Sequence, residues 1–153
     1  MRFKFPLQKV MQHRKIKENL AQKEYQETAQ ALWREEEKLK KMQDDLSLAF
    51  LQSGQLQSQG GNQTSALQQI SDFIRAQKVL VQRQEAKVQE FVKLVESKQE
   101  ILRQAAIDYK IIEKLRGKKF EEYKHDRLMT EQKEMDEQSI LRFETEEDKE
   151  QWQ

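Results

Sequence analysis

Residues 67–112 decide the fold, and they read LQQISDFIRAQKVLVQRQEAKVQEFVKLVESKQEILRQAAIDYKII. Apolar residues recur in this stretch every seven positions, which places them on one stripe of an α-helix. The stripe consists of Leu67, Ile74, Val81, Val88, Val95, Leu102 and Tyr109, with Ile70, Phe91, Ala105 and Ile112 at the alternate positions. Such a run of heptads is typical of a coiled coil. Gln77, Gln84 and Lys98 interrupt the stripe, and polar core residues of this kind can fix register at a cost in stability.

A shorter heptad pattern precedes this stretch and supplies a partner helix. Its most regular members are Tyr25, Leu32, Leu39 and Leu46. Pro6 is suited to the first turn of this helix, because the N–H that proline lacks would be unpaired there anyway. Between the two patterns lies the uncharged, glycine-rich segment 53–64, which has the composition of a loop. Within it, Gly54 is a candidate helix end, and Thr64 or Ser65 is a candidate N-cap for the second helix.

We therefore predict an all-α fold, a two-helix antiparallel coiled-coil hairpin with an overhanging C-terminal helix. Because the second helix is the longer one, it should have no intramolecular partner beyond about Leu115. Gly117 lies at the start of this overhang, either as a tolerated surface glycine or as a hinge. The predicted boundaries form a single domain, 1–153, with a helix at about 6–53, a loop at about 54–64, a helix at about 65–143 and a disordered tail at about 144–153.

Composition argues against several classes of function. Charged residues make up 36% of the chain, but the net charge is only +1, so nucleic acid is not an expected partner. The chain has no cysteine, and therefore no disulfide or thiolate chemistry. The basic N-terminal segment has no apolar stretch typical of a secretory signal, and no apolar run is long enough to span a membrane. We expect a soluble, cytoplasmic protein.

No arrangement of side chains in the sequence predicts catalysis. The two histidines, His13 and His125, are far apart, and neither belongs to a nucleophile or metal motif. Carboxylates do flank His125, but charge-rich helices produce such clusters routinely. A two-helix rod also lacks a cavity that could exclude water. We therefore expect no enzyme activity, no cofactor and no bound metal.

A second apolar row lies beside the main stripe of the long helix. Its members are Ala66, Phe73, Leu80, Leu94 and Ile101. One interpretation is that this row packs on the first helix and simply widens the core. The other is that Phe73 and Leu80 form part of a groove for a partner protein.

Two segments resemble the flagellar export protein FliJ family. The N-terminal segment FKFPLQKVMQHRKIKE is similar to the opening of that family, with its aromatic-x-aromatic-x-Leu-x-x-Val pattern. The C-terminal segment IIEKLRGKKFEEYKHDRLMTEQKEMDEQSILRF resembles the most distinctive stretch of the family through EKLR, EEY, EQK and DE in that order. Gly117 departs from the charged residue that usually follows EKLR. Together with the length and helix order, the resemblance spans nearly the whole chain.

The resemblance implies a cytoplasmic protein peripherally associated with the bacterial flagellar type III export apparatus at the inner membrane. It also implies three partners: the export ATPase hexamer, into whose ring a stalk-like hairpin would insert, the cytoplasmic part of the export gate membrane protein, and substrate chaperones. For the ATPase ring we predict a docking segment at residues 113–137, with contacts from Lys114, Leu115, Arg116, Tyr123, Glu131, Lys133, Asp136 and Glu137. For the export gate or a chaperone we predict Phe73 and Leu80.

Two other interpretations remain open on the sequence. The equivalent stalk of a virulence injectisome would have the same architecture. A coiled-coil scaffold or spacer would need no partner ATPase, so stimulation of an ATPase by the purified chain would separate a stalk from a scaffold. A helix that lies on a membrane surface ranks last, because the apolar face of the basic N-terminus is needed for the hairpin.

Overall fold

Two long α-helices make up nearly all of the computed structural model, which describes residues 2–61 and 63–150. Helix α1 is Gln8–Gln59 and helix α2 is Thr64–Glu150. No strand occurs in the described residues, so the predicted all-α class is confirmed. The chain, for which a single domain was predicted, divides into two compact units. Residues 16–106 form one unit, and residues 1–15 with 107–153 form the other.

The unit formed by residues 16–106 is an antiparallel helix pair closed by a short turn. Its core uses the predicted heptad, because all its predicted apolar members are buried or half-buried, with Val81, Val88 and Ala105 among the most buried. The polar interruptions lie in the same core and set the register. Gln77 Nε2 donates to the Met42 carbonyl oxygen over 3.1 Å. Lys98 Nζ contacts Glu24 Oε2 at 3.2 Å.

The turn lies later in the chain than the sequence suggested. Helix α1 continues through Gly54 to Gln59, so the predicted end near residue 53 is wrong, and the turn uses Gly60 and Gly61 instead. Both of these glycines have positive φ, 62° and 92°, a conformation that costs glycine little. Leu56 continues the apolar stripe past Gly54 and is half-buried. Its burial offsets the roughly 1 kcal/mol that a glycine costs inside a helix.

The second unit combines the start of α1 with the later part of α2. Before α1 begins at Gln8, residues 5–7 form a turn in which the Gln8 amide donates to the Phe5 carbonyl oxygen over 3.2 Å. Phe5 is buried, and so is Ile112 on α2. Arg14 Nη1 donates to the carbonyl oxygen of Asp108 over 2.8 Å, and Lys15 Nζ lies 4.8 Å from the centre of the Tyr109 ring. These contacts fix α1 antiparallel to α2 in this unit.

Helix α2 continues without a break beyond these contacts. It passes through Gly117, where a Cβ atom would meet nothing within 4 Å, so the helix is continuous at this exposed glycine. The helix ends at Glu150 and includes residues 144–150, which were predicted to be disordered. Neither Gly nor Pro interrupts this part, and Lys149 in the last turn suits the negative end of the helix dipole. The rest of the predicted tail, 151–153, lies outside the described residues.

Candidate partner-binding surfaces

Three aromatic side chains join the N-terminal segment to α2. The Phe3 ring lies 5.2 Å from the Phe120 ring in an edge-to-face arrangement and 5.4 Å from the Tyr123 ring. Lys124 Nζ lies over the Phe120 ring at 5.1 Å from its centre. Aromatic pairs of this geometry contribute about 0.5–1.5 kcal/mol each beyond the area they bury. The N-terminal segment therefore contacts α2 as far as Tyr123. The sequence had predicted that α2 has no intramolecular partner beyond about Leu115.

Beyond Tyr123 the surface of α2 is open on every side. All residues from 124 to 150 are exposed, and of residues 113–123 only Tyr123 is half-buried. A lone helix in water is marginally stable without packing. This part of α2 is therefore an accessible surface, and it overlaps the segment 113–137 that was predicted to dock on a partner.

The predicted contact residues fall into two groups along α2. Leu115 and Arg116 lie in the first group, near the N-terminal segment, where Arg116 lines a shallow recess together with Phe3 and Phe5. Tyr123, in the aromatic cluster, completes that group with the exposed Lys114. The second group is Glu131, Lys133, Asp136 and Glu137, all exposed. The eight residues extend along about 35 Å of one helix, so they form a strip and not a pocket.

Ion pairs between side chains on neighbouring helical turns lie along much of this strip of α2. Arg127 Nε donates to Glu131 Oε1 over 2.9 Å, and this bond raises the pKa of the Arg127 guanidinium. Lys119 Nζ contacts Glu122 at 3.1 Å, and Lys124 Nζ contacts Glu121 at 2.7 Å. Such exposed pairs contribute little to stability and are screened by salt. They leave a surface of alternating charge, which suits partner selection better than tight packing.

Exposed apolar residues on the last part of α2 were not identified from the sequence. Large apolar side chains remain open to solvent there: Leu128, Met129, Met135, Ile140, Leu141 and Phe143. The signal that could have found them is an apolar content that persists after the regular heptad ends at Ile112. Because no part of the chain's described residues buries them, they are available to another molecule.

A second candidate surface lies on α2 beside the core of the other unit. Four members of the second apolar row are exposed: Phe73 by 47%, Leu80 by 45%, Leu94 by 45% and Ile101 by 47%. The interpretation that this row is buried against α1 is therefore wrong for these four. Only Ala66 is half-buried. The cause is geometric, because two helices in contact bury only a narrow seam and leave the adjoining row at its rim.

A buried carboxylate lies at the middle of this unit. Gln84 Nε2 donates to Glu35 Oε2 over 2.6 Å and to the Glu35 carbonyl oxygen over 3.0 Å. Lys38 and Lys87 reach Glu35 Oε1 at 3.1 Å and 3.5 Å. The Gln84 bond first, and the Lys38 bond second, hold the pKa of the Glu35 carboxyl below its ordinary value against the opposing effect of burial. Sequence reasoning placed Gln84 in the core but did not predict that Glu35 is its partner.

Neither surface contains a metal-binding cluster within the residues that the structure describes. In residues 2–61 and 63–150, no group of three or more His, Asp or Glu side chains is arranged to hold a metal ion. The same residues contain no helix that is long and apolar enough to cross a membrane. The fold does carry two exposed strips along α2, and its two long helices define a coiled-coil protein.

Comparison with known proteins places this coiled coil in a family. The family model described as "Flagellar FliJ protein" matches residues 3–148. The chain therefore belongs to the FliJ family and is a protein associated with flagellar export. No curated protein and no solved structure matches the chain significantly.

Proposed function

We propose that this protein is a non-enzymatic, central-stalk-like component of the flagellar type III export apparatus. In this role it docks in the ring of the export ATPase, couples the ring to the export gate and assists substrate chaperones. The observation that carries the proposal is the uncovered part of α2, where every residue from 124 to 150 is exposed. A scaffold or spacer would have no need of a long, charged helix without a partner.

Docking on the ring would use residues 113–137 of α2. The exposed charges of the second group, Glu131, Lys133, Asp136 and Glu137, alternate in sign and suit a charge-guided contact. The first group, Lys114, Leu115, Arg116 and Tyr123, would add a partly apolar contact next to the Phe3 ring. The export gate or a chaperone would contact Phe73 and Leu80, which are exposed on the other unit. The protein would work in the cytoplasm, peripherally associated with the inner-membrane export apparatus.

A truncation tests the docking segment. We expect a chain ending at Asp126 to lose binding to the export ATPase and stimulation of its ATP hydrolysis. This end point retains Phe120 and Tyr123, so the contacts with Phe3 remain, whereas a cut after Arg116 would remove them. Binding is measured by titration calorimetry with the purified ATPase, and stimulation by phosphate release.

Two controls accompany the truncation. Circular dichroism should show that residues 1–126 keep their helicity. Binding to the export gate fragment or to a chaperone should persist, because Phe73 and Leu80 are untouched. If the truncated chain binds and stimulates the ATPase as well as the full chain does, residues 127–150 are not needed for docking. The basic N-terminal segment would then be the better candidate.

The equivalent stalk of a virulence injectisome is the second candidate. The uncovered helix would serve equally well there, but the family match favours the flagellar apparatus. Stimulation of a flagellar export ATPase and not of an injectisome ATPase would separate the two.

A further inference from the structure

Two rows of side chains form one continuous face on the unit formed by residues 16–106. On α2 the row is Phe73, Leu80, Lys87, Leu94 and Ile101, at intervals of seven residues. On α1 the row is Leu20, Arg34, Lys41 and Leu48, at multiples of seven residues, with Glu27 in the remaining position. A heptad interval keeps each row on one side of its helix. We call these two rows the lateral face.

Contacts in the core show that the two rows lie on the same side of the helix pair. Lys87 of α2 and Lys38 of α1 both reach Glu35 Oε1, so both lysines leave the core on the same side. Arg34 and Lys41 are four residues before and three residues after Lys38, which makes them its neighbours on the helix surface. The register of Glu35 with Gln84 then brings Arg34 to the level of Lys87 and Leu48 to the level of Phe73.

The lateral face is apolar at both ends and basic in the middle. Phe73 and Leu48 lie at one end, exposed by 47% and 53%, and Ile101 and Leu20 lie at the other, exposed by 47% and 56%. Lys41, Arg34 and Lys87 lie between them, and all three are exposed. The rows hold one carboxylate, Glu27, and the heptad row of Lys38 between them adds Asp45 and Glu24, of which Glu24 is paired with Lys98. A ligand that fits this face is an amphipathic helix with apolar residues on both sides of an acidic centre.

The last part of α2 has the same pattern with the opposite charge. Residues 128–143 read LMTEQKEMDEQSILRF. Exposed apolar residues stand at both ends, Leu128 and Met129 at one and Ile140, Leu141 and Phe143 at the other. Between them are four carboxylates, Glu131, Glu134, Asp136 and Glu137, against one lysine. The segment is about 24 Å long, close to the roughly 21 Å from Leu80 to Leu94.

We propose that residues 128–143 of a second copy of this chain bind to the lateral face. Leu128 with Met129 and Ile140 with Leu141 contact Leu80 and Leu94, the apolar residues nearest the basic middle, and the carboxylates between them face Lys41, Arg34 and Lys87. The contact covers apolar side chains that are exposed in a single copy on both sides of the interface. It joins two different surfaces, so it either closes into a reciprocal pair or continues as a chain of copies. This inference goes beyond the proposed function and requires no ATPase.

The contact would also limit access to the ATPase docking segment. Residues 128–137 belong both to the segment that binds the lateral face and to the segment proposed to dock on the ring. One copy could not use them for both purposes at once. Self-association would therefore hold the chain in reserve until the ring competes for these residues.

Charge exchange between the two surfaces tests the proposal with the purified full-length chain. The wild type should sediment above the mass of one chain at high concentration in low salt, and the association should weaken as salt is added. The double variant Lys41→Glu with Arg83→Glu reverses one charge on the lateral face and one beside it, and it should weaken the association roughly tenfold or more. The double variant Glu134→Lys with Glu137→Lys, in the segment 128–143, should have the same effect. A mixture of the two double variants should associate again, because each supplies the surface that the other lacks.

Controls separate a specific contact from a general effect of charge. Arg83 is the neighbour of Lys87 one turn earlier, and unlike Lys87 it makes no contact with Glu35, so its reversal leaves the core intact. The control variant Lys40→Glu with Arg75→Glu reverses two exposed charges that lie outside the lateral face, and it should leave the association unchanged. Circular dichroism should show that all variants are equally helical. A wild type that stays monomeric in low salt overturns the proposal. The proposal is also overturned if both double variants still associate like the wild type, or if the control variant loses association as fully as they do.

Discussion

At the residue scale, Glu35 shows how a charge can be held inside a two-helix core. Its carboxylate accepts a hydrogen bond from Gln84 and meets two lysines, one from each helix. A carboxylate without such partners would be costly to bury. With them, it forms a polar layer that is satisfied in only one alignment of the helices. Gln77, bonded to the Met42 carbonyl oxygen, is a second layer of this kind. The two layers fix the register of the apolar stripe.

The pH dependence of stability should report on Glu35. Because the folded-state pKa of this carboxyl lies below its ordinary value of 4.5, its contribution is fully present above pH 4.5. It is lost as the pH falls through the folded-state pKa. Glu35→Gln should therefore lower the Tm at pH 7, and the difference from wild type should shrink in acid. Thermal melts followed by circular dichroism measure this, with Glu36→Gln, an exposed neighbour, as the control. A constant difference at all pH values would contradict it.

At the element scale, α2 is one helix with three environments. Its early part packs on α1 through the heptad stripe, its middle packs on the N-terminal segment, and its last part has no cover within the chain's described residues. The stripe therefore does more than form the hairpin. It stabilises one end of a helix whose other end is exposed, as the docking proposed above requires.

A substitution at Val88 tests the packing of the early part of α2. Val88 is 7% exposed in the core, so Val88→Asp should lower the free energy of unfolding by roughly 2–4 kcal/mol. The control is Gln89→Asp, since Gln89 is exposed. Lys87 is unsuitable as a control because it contacts Glu35. Urea unfolding followed by circular dichroism gives both values, and equal losses would mean that the assigned heptad register is wrong.

At the scale of the whole molecule, helicity and stability are distributed differently. The chain is helical almost from end to end, but among residues 2–61 and 63–150 the buried ones are confined to positions 5–112. Local stability follows burial and not the presence of backbone hydrogen bonds alone. The molecule therefore combines a packed part, which holds its structure without a partner, with the exposed end of α2, which would gain the most stability from binding a partner.

Hydrogen exchange should reveal this distribution. Amides of residues 124–150 should exchange at least tenfold faster than those of residues 77–112, because the former segment opens without disrupting a core. Mass spectrometry of peptides from the dilute full-length chain measures both segments in one experiment. Equal protection in the two segments would show that something other than the described contacts stabilises the end of α2. A rise in protection of 124–150 with concentration would agree with binding to a second copy.

The sequence by itself determined the helical class, the heptad stripe and the family resemblance. Each depends on a local regularity: the seven-residue interval from Leu67 to Tyr109, the scarcity of helix breakers, and the short motifs EKLR and EEY. The family match over residues 3–148 and the two helices confirm the resemblance and the class. The heptad was sufficient to place Gln77 and Gln84 in the core, because position in the stripe fixes which side chains face a partner helix.

Only the tertiary structure decided what depends on the opposite helix. The end of α1 moved from Gly54 to Gln59 because Leu56 finds a place in the core, which local glycine chemistry does not reveal. The second apolar row proved exposed because its burial depends on how much of α2 the partner helix covers. Glu35 proved to be the partner of Gln84, and Phe3 the partner of Tyr123, because each pair depends on the register between distant segments. Local sequence determines a helix and its apolar stripe, whereas the burial of that stripe depends on contacts with segments that are distant in the sequence.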